Sequence, residues 1–351
     1  MKHALGTASS IGCVLAIAAA VSCAHRTEPP AAPPAPPEPT VAVDAVPIKP
    51  IVTVVDAAVE RVRVGSQCLA TDLPDCAKQC DEGAGHLGSC VTLALAYQSG
   101  KGVALDLVHA FRLFSQACEG GSADGCNGLG YMYWKGEGAT QDFVRALDLF
   151  EGACKQGAVR ACTNLGWMIH KGQGTRRDTK RALELLDDAC SRADANACSN
   201  LGEVFWYGNG VAQDFGLSAE YYRRACDGGE PAACTNLGIL MGEGKGVVRD
   251  EARAAQLHSF ACEHDNSWGC FNLGLAIENG QGVPKDVKRA TELFGRACDA
   301  RHPEACMRLG TFAEQGTGQK KDRKRAGVMY RKACDLGLAE ACLAAVRLGV
   351  P

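Results

Sequence analysis

In a chain of 351 residues, 37 lysines and arginines stand against 40 acids, and the net charge of −3 gives no basic footprint for nucleic acid. Hydrophobic residues at 46% and 41 glycines describe a folded chain with many turns, whereas the 20 cysteines leave two explanations. Either a disulfide framework forms outside the reducing cytosol, or the chain binds several metal ions.

The chain opens with Lys2 and the apolar run IGCVLAIAAAV. That run is too short to span a bilayer and is placed as the core of a signal peptide over residues 1–22. It ends in AVSC, which resembles the lipobox read by lipoprotein signal peptidase, with Cys23 as the lipidated first residue. Ordinary cleavage after the alanines at 18–20 is the alternative, and it implies secretion. Ala24 follows Cys23 where an acidic residue would retain a lipoprotein at the inner membrane. The resemblance therefore implies an outer-membrane anchor, facing the periplasm or the cell surface. Nine of the 14 prolines then fall between Pro29 and Pro50, a composition that favours extended chain and cannot bury a core. Residues 23–63 are read as a disordered spacer.

From residue 64 to 351 the chain repeats. Cysteines recur every 36 residues, at Cys118, Cys154, Cys190, Cys226, Cys262, Cys298 and Cys334, and a second follows each by eight, at Cys126, Cys162, Cys198, Cys234, Cys270, Cys306 and Cys342. Cys80 and Cys90 begin an earlier copy with two extra residues, and Cys68 and Cys76 precede it. A fixed period of this length signals a solenoid rather than two separate domains. Residues 64–79 form an N-terminal cap, 80–333 the repeats and 334–351 a capping helix from about Ala339.

Each repeat reads as helix–turn–helix. Pro231 and Pro303 sit five residues after their repeat's first cysteine, where proline suits the first turn of a helix. The helix runs about 13 residues to a Gly-x-Gly such as Gly136 and Gly138, the first glycine being suited to a left-handed C-cap. Four residues past the second glycine stands an aspartate, from Asp142 and Asp178 to Asp322, suited to N-cap the second helix. That helix continues through an alanine into the next cysteine.

In this frame one cysteine ends a helix and its partner opens the next, which brings the two within disulfide reach. Eighteen cysteines from Cys68 to Cys342 then form nine bridges, and Cys13 leaves with the signal peptide. Metal binding is weaker, because zinc needs four ligands at one point and these pairs are strung along a line. No cofactor signature is present.

The frame A-C-x-N-L-G, Gly-x-Gly, Asp and closing A-C resembles the Sel-one-like repeat, a relative of the tetratricopeptide repeat. With its cysteine pairs, the stretch from residue 68 to 351 is similar to the Helicobacter cysteine-rich protein family. The resemblance implies an all-α, right-handed α/α solenoid stapled in each repeat. It also implies a groove lined by the first helix of each pair and a monomer that binds partner proteins.

In those first helices Asn164, Asn200, Asn236 and Asn272 form a ladder that either bonds an extended peptide or braces neighbouring repeats. Tyr131, Trp134, Trp167, Trp206 and Tyr207 make the early repeats aromatic, as interface anchors or as packing between repeats, and Glu278 and Glu314 replace them later. Lys135 and Lys171 add positive charge and suggest an acidic partner.

Two functions follow. One is an exported scaffold binding an envelope protein or extended peptide, touching the membrane through its lipid anchor only. The other, implied by the resemblance alone, is a β-lactam-binding protein or weak β-lactamase; a cell-wall fragment is a further candidate ligand, because the anchor and spacer would set the groove near the wall. The sequence contains no Ser-x-x-Lys, Lys-Thr-Gly, His-x-His or His-Glu-x-x-His, so no catalytic residue is assigned beyond noting His170 near Trp167.

Overall fold

A computed structural model describes residues 68–81 and 86–350. The expected signal peptide at 1–22, lipidation at Cys23 and spacer at 23–63 lie outside the described residues. Among the described residues there are 16 α-helices and no strand.

Seven hairpins follow one another: α2 (Leu87–Ser99) with α3 (Leu107–Glu119), α4 (Ala123–Lys135) with α5 (Phe143–Lys155), and α6 (Val159–Lys171) with α7 (Thr179–Ser191). Next come α8 (Ala195–Tyr207) with α9 (Phe215–Asp227) and α10 (Pro231–Glu243) with α11 (Glu251–Glu263). The last two are α12 (Ser267–Asn279) with α13 (Val287–Asp299) and α14 (Pro303–Gln315) with α15 (Arg323–Asp335). They are flanked by α1 (Leu73–Asp81) and by the closing α16 (Ala339–Arg347).

The boundaries follow from local chemistry. Pro231 and Pro303 are the first residues of their helices, where a missing N–H costs nothing. Gly136 ends α4 at φ 72°, a left-handed conformation that side-chain-bearing residues resist. The Asp142 Oδ1 then accepts the N–H groups of Val144 and Arg145 at 3.1 and 3.0 Å, opening α5. The same cap is made at Asp178, Asp214, Asp250, Asp286 and Asp322, and a further one at Asp106 opens α3. Gly138 has a different role. A Cβ there would lie 2.2 Å from the Leu107 carbonyl oxygen, so the loop packs directly on the backbone of the preceding hairpin.

Within each hairpin, the Leu-Gly pair explains the close approach. Leu129, Leu165, Leu201, Leu237, Leu273 and Leu309 are buried, and the glycine after each lies under a large side chain of the second helix. Phe150 covers Gly130, Tyr222 covers Gly202, Phe294 covers Gly274 and Tyr330 covers Gly310. Burying such a ring stabilises by about 2–3 kcal/mol, so this contact is a large part of each hairpin's cohesion.

Between hairpins, α2 touches α4, α4 touches α6, α6 touches α8, α8 touches α10 and α10 touches α12. The odd-numbered helices are spaced more widely along the stack. The row of even helices from α2 to α12 is therefore the inner side of the curve.

Nine disulfides close the turns that join one hairpin to the next. Cys68 bonds Cys76 and Cys80 bonds Cys90 at the N-terminal end. Cys118–Cys126, Cys154–Cys162, Cys190–Cys198 and Cys226–Cys234 follow. Cys262–Cys270, Cys298–Cys306 and Cys334–Cys342 complete the series. Each joins the last turn of an odd helix to the first turn of the next even one, or its N-terminal equivalent. Chain-entropy reasoning assigns a loop of this size about 2.5 kcal/mol.

Candidate functional site

The inner row of even helices leaves an open groove of about 1150 Å³ along α2, α4, α6 and α8. Its floor includes Thr92, Leu95 and Ala96 from α2 and Gly128 from α4. Over this floor stand the aromatic side chains of Tyr131, Trp134 and Trp167 and the amides of Asn127, Asn164, Asn196 and Asn200.

The aromatic side chains are fixed by neighbours. Tyr131 and Trp134 meet edge to face, their centroids 5.8 Å apart at 85°. The Trp134 indole N–H donates to Gln173 Oε1 at 2.9 Å, across the boundary to the next hairpin. Gln98 makes the matching bond one repeat earlier, its Nε2 donating to Glu137 Oε2 at 2.8 Å. Lys135 Nζ lies 4.6 Å from the Trp134 ring centre and Lys171 Nζ lies 4.1 Å from that of Trp167. Burial and the nearby Glu137 hold the Tyr131 hydroxyl above the usual phenol range, so it stays a neutral donor.

The asparagine ladder divides. Asn164 and Asn200 line the groove. Asn164 also braces the stack, its Nδ2 donating to Asn127 Oδ1 at 2.9 Å, which leaves its carbonyl oxygen and the Asn127 amide nitrogen without a hydrogen bond among the described residues. Asn236 lies beside the Tyr222 hydroxyl. The Nδ2 of Asn272 is buried without a hydrogen-bond partner. Neither Asn236 nor Asn272 is part of the groove lining.

Trp206 is also outside the lining. It packs edge-on against Phe215 and Tyr222 at 5.9 and 6.1 Å and belongs to the hairpin core. Tyr207 is exposed at the end of α8. Farther along, the acids are held by their own chain. Arg308 grips Glu278 with two bonds of 3.0 and 2.7 Å, and Glu314 accepts from Tyr330 at 2.8 Å and Arg347 at 2.7 Å. His170 is buried and stacked beneath Trp167, ring centres 5.7 Å apart, rather than facing the groove. Burial, with Arg177 and Lys171 nearby, pushes its imidazole down to about 4. It is neutral at pH 7.

Sequence spacing missed Asn127, which stands one residue ahead of the ladder register, where the frame itself reads Gly128. It also passed over Gln98, Lys101, Glu137 and Arg160, all of which line the groove. One signal was available: Gln98–Glu137 and Trp134–Gln173 share the same separation of 39. Among the described residues no group of three or more histidine, cysteine or acidic side chains is arranged to hold a metal ion, and no helix is long and apolar enough to cross a membrane. Cys76 and Cys80, four residues apart in sequence, belong to two different disulfides.

A family model, the Sel1 repeat, matches seven segments of the chain: 89–122, 123–157, 159–194, 195–230, 231–266, 269–302 and 303–338. Among solved structures the chain is similar to c5321, a protective antigen present in uropathogenic Escherichia coli strains displaying an SLR fold. That match has 27% identity and a TM-score of 0.60 over 79% of this chain and 59% of that one. The chain thus spans less than two thirds of the length of that antigen. A Sel1 repeat protein from Oxalobacter formigenes matches with 26% identity and a TM-score of 0.61 over 69% of this chain and 97% of its own. Helicobacter pylori cysteine rich protein B has 30% identity over 36% of this chain and 91% of its own, with a TM-score of 0.31. No curated protein matches the chain.

Proposed function

Because this chain belongs to the Sel1 repeat family, whose helix-pair solenoids are typical scaffolds for protein–protein interaction, we propose that it holds an extended segment of a partner protein in the groove along α2, α4, α6 and α8. The carrying observation is the composition of that groove. Amides that can both donate and accept stand beside half-buried aromatic side chains that are already oriented by hydrogen bonds and cations. Amides suit a peptide backbone of any sequence, and rings held in place lose little freedom on binding.

The scaffold is proposed to work outside the cytosol. Nine disulfides across the described residues fit an oxidising compartment, where such bridges form and persist. The signal-peptide pattern at 1–22 supports export, and AVSC supports lipidation at Cys23. On this account the proline-rich residues 23–63 separate a lipid anchor from the solenoid in the cell envelope.

A photo-reactive side chain placed at Trp167 in the oxidised protein tests the groove. Crosslinks should map to one extended segment of a partner and be lost when Tyr131 and Trp134 are replaced by alanine. Crosslinking no richer than from Lys180, an exposed position on α7, would remove the groove from the proposal. Metabolic labelling with palmitate, compared between the native chain and Cys23→Ser, tests the anchor separately.

A further inference from the structure

We infer that the groove selects acidic peptide segments, an assignment that rests on the peptide-holding function proposed above. The basis is which charges in the groove are already engaged. Lys101 and Arg160 both line it, and among the described residues neither side chain makes a hydrogen bond, ion pair or ring contact. The lining carboxylates are different. Glu137 accepts from Gln98 at 2.8 Å, and Asp194 caps α8 by accepting the Ala197 N–H at 2.8 Å.

The flanking charges lean the same way. Lys135 rests on the Trp134 and Tyr131 rings and has no carboxylate partner among the described residues. Lys171 reaches Glu203 at 3.2 Å, so that acid is answered from within the protein. Asp124, in the first turn of α4, is the other carboxylate on these four helices, and it lies outside the lining. An incoming segment therefore meets two or three uncommitted cations and carboxylates that are already bonded.

Beyond α8 the pattern reverses in kind. Glu243 is paired with Lys245 at 2.7 Å, Glu278 with Arg308 at 2.7 Å and Glu314 with Arg347 at 2.7 Å. Those three acids are answered within the chain, while Glu304 adds a carboxylate 3.2 Å from His302, whose imidazole burial holds below its usual range, so the uncommitted cations of the inner row sit in the section that also carries Tyr131, Trp134 and Trp167. A ligand suited to that section pairs carboxylates with an apolar or aromatic residue. Exposed charges of this kind set selectivity and association rate more than total affinity.

The test uses a random dodecapeptide library displayed on phage, panned over the oxidised full chain and over the same chain carrying Lys101→Glu and Arg160→Glu. Among the described residues both side chains are exposed and unpartnered, so the double variant should melt at the native temperature. Peptides enriched on the native chain should carry an excess of aspartate and glutamate, and that excess should vanish on the double variant. A resynthesised winner should lose about tenfold in affinity on the double reversal, and similarly when its acids become amides. Raising the salt concentration should shrink that difference.

Enrichment of neutral or basic peptides, or the same set on both proteins, would overturn the acidic assignment while leaving peptide binding intact. No enrichment above a Tyr131→Ala/Trp167→Ala chain would sink both. Tighter binding of a glucuronic acid oligomer than of any selected peptide would also overturn it and assign the cations to a glycan.

Discussion

His258 lies directly on Gly238: a Cβ at that glycine would fall 2.6 Å from the imidazole. In the other hairpins this place is taken by apolar or phenolic side chains such as Phe150, Phe294 and Tyr330, so the fold has put a titratable group where it otherwise puts a plain ring. Burial pushes His258 down from 6.5 to about 4, and its Nδ1 has no hydrogen-bond partner.

Acid should therefore loosen this hairpin first. The folded state resists the proton that the unfolded chain accepts, so stability is complete above pH 6.5 and is lost as pH falls toward 4. His258 alone accounts for up to roughly 3 kcal/mol across that window. His170, also lowered to about 4, acts in the same direction. Denaturant midpoints measured between pH 7 and pH 4 should fall, and His258→Phe should flatten the slope. An unchanged slope in that variant would remove His258 from the account.

Gly138→Ala should destabilise by about 3 kcal/mol, because the new Cβ would meet the Leu107 carbonyl oxygen at 2.2 Å from a backbone held at φ 71°. Gly152, inside α5, is the control. An added Cβ there would meet nothing within 4 Å, and its alanine variant should gain up to about 1 kcal/mol. Guanidinium unfolding of both variants checks the pair.

The turn between α7 and α8 offers a gain. Ala193 adopts φ 65°, while the equivalent Gly157 and Gly229 supply the same left-handed turn without a side chain. Ala193→Gly should stabilise by about 1 kcal/mol, read as a raised melting temperature.

Replacing Cys226 and Cys234 by alanine should cost about 2.5 kcal/mol. In a stack whose units touch only their neighbours, the loss should appear locally. Amide exchange should accelerate in α9 and α10 and stay unchanged in α2 to α5.

The repeat, the caps and the stapling could be read from the chain because each rests on a local rule. Proline at 231, the left-handed Gly136 and the capping Asp142 act within a few residues of themselves. The groove was less legible, because facing depends on neighbours that the period does not encode. Trp134 and Trp206 occupy the same place two repeats apart. Trp134 reaches Gln173 and lines the groove, whereas the residue in the place of Gln173 two repeats on is Lys245. An ammonium cannot accept the indole N–H, and this one is paired with Glu243. Without that acceptor Trp206 turns to Phe215 and Tyr222. Asn127 was hidden for a similar reason, since it reaches Asn164 from one step off the period.

The two kinds of turn also differ in how the chain would survive a protease. A cut between Cys118 and Cys126, or inside any other closed turn between hairpins, leaves both fragments joined through sulfur. A cut at 136–142, within a hairpin, has no such bridge across it. Damage at the first kind of turn is a nick in a molecule that stays whole. Damage at the second kind divides it, so the glycine-rich turns are where the lifetime of this protein in the presence of a protease is decided.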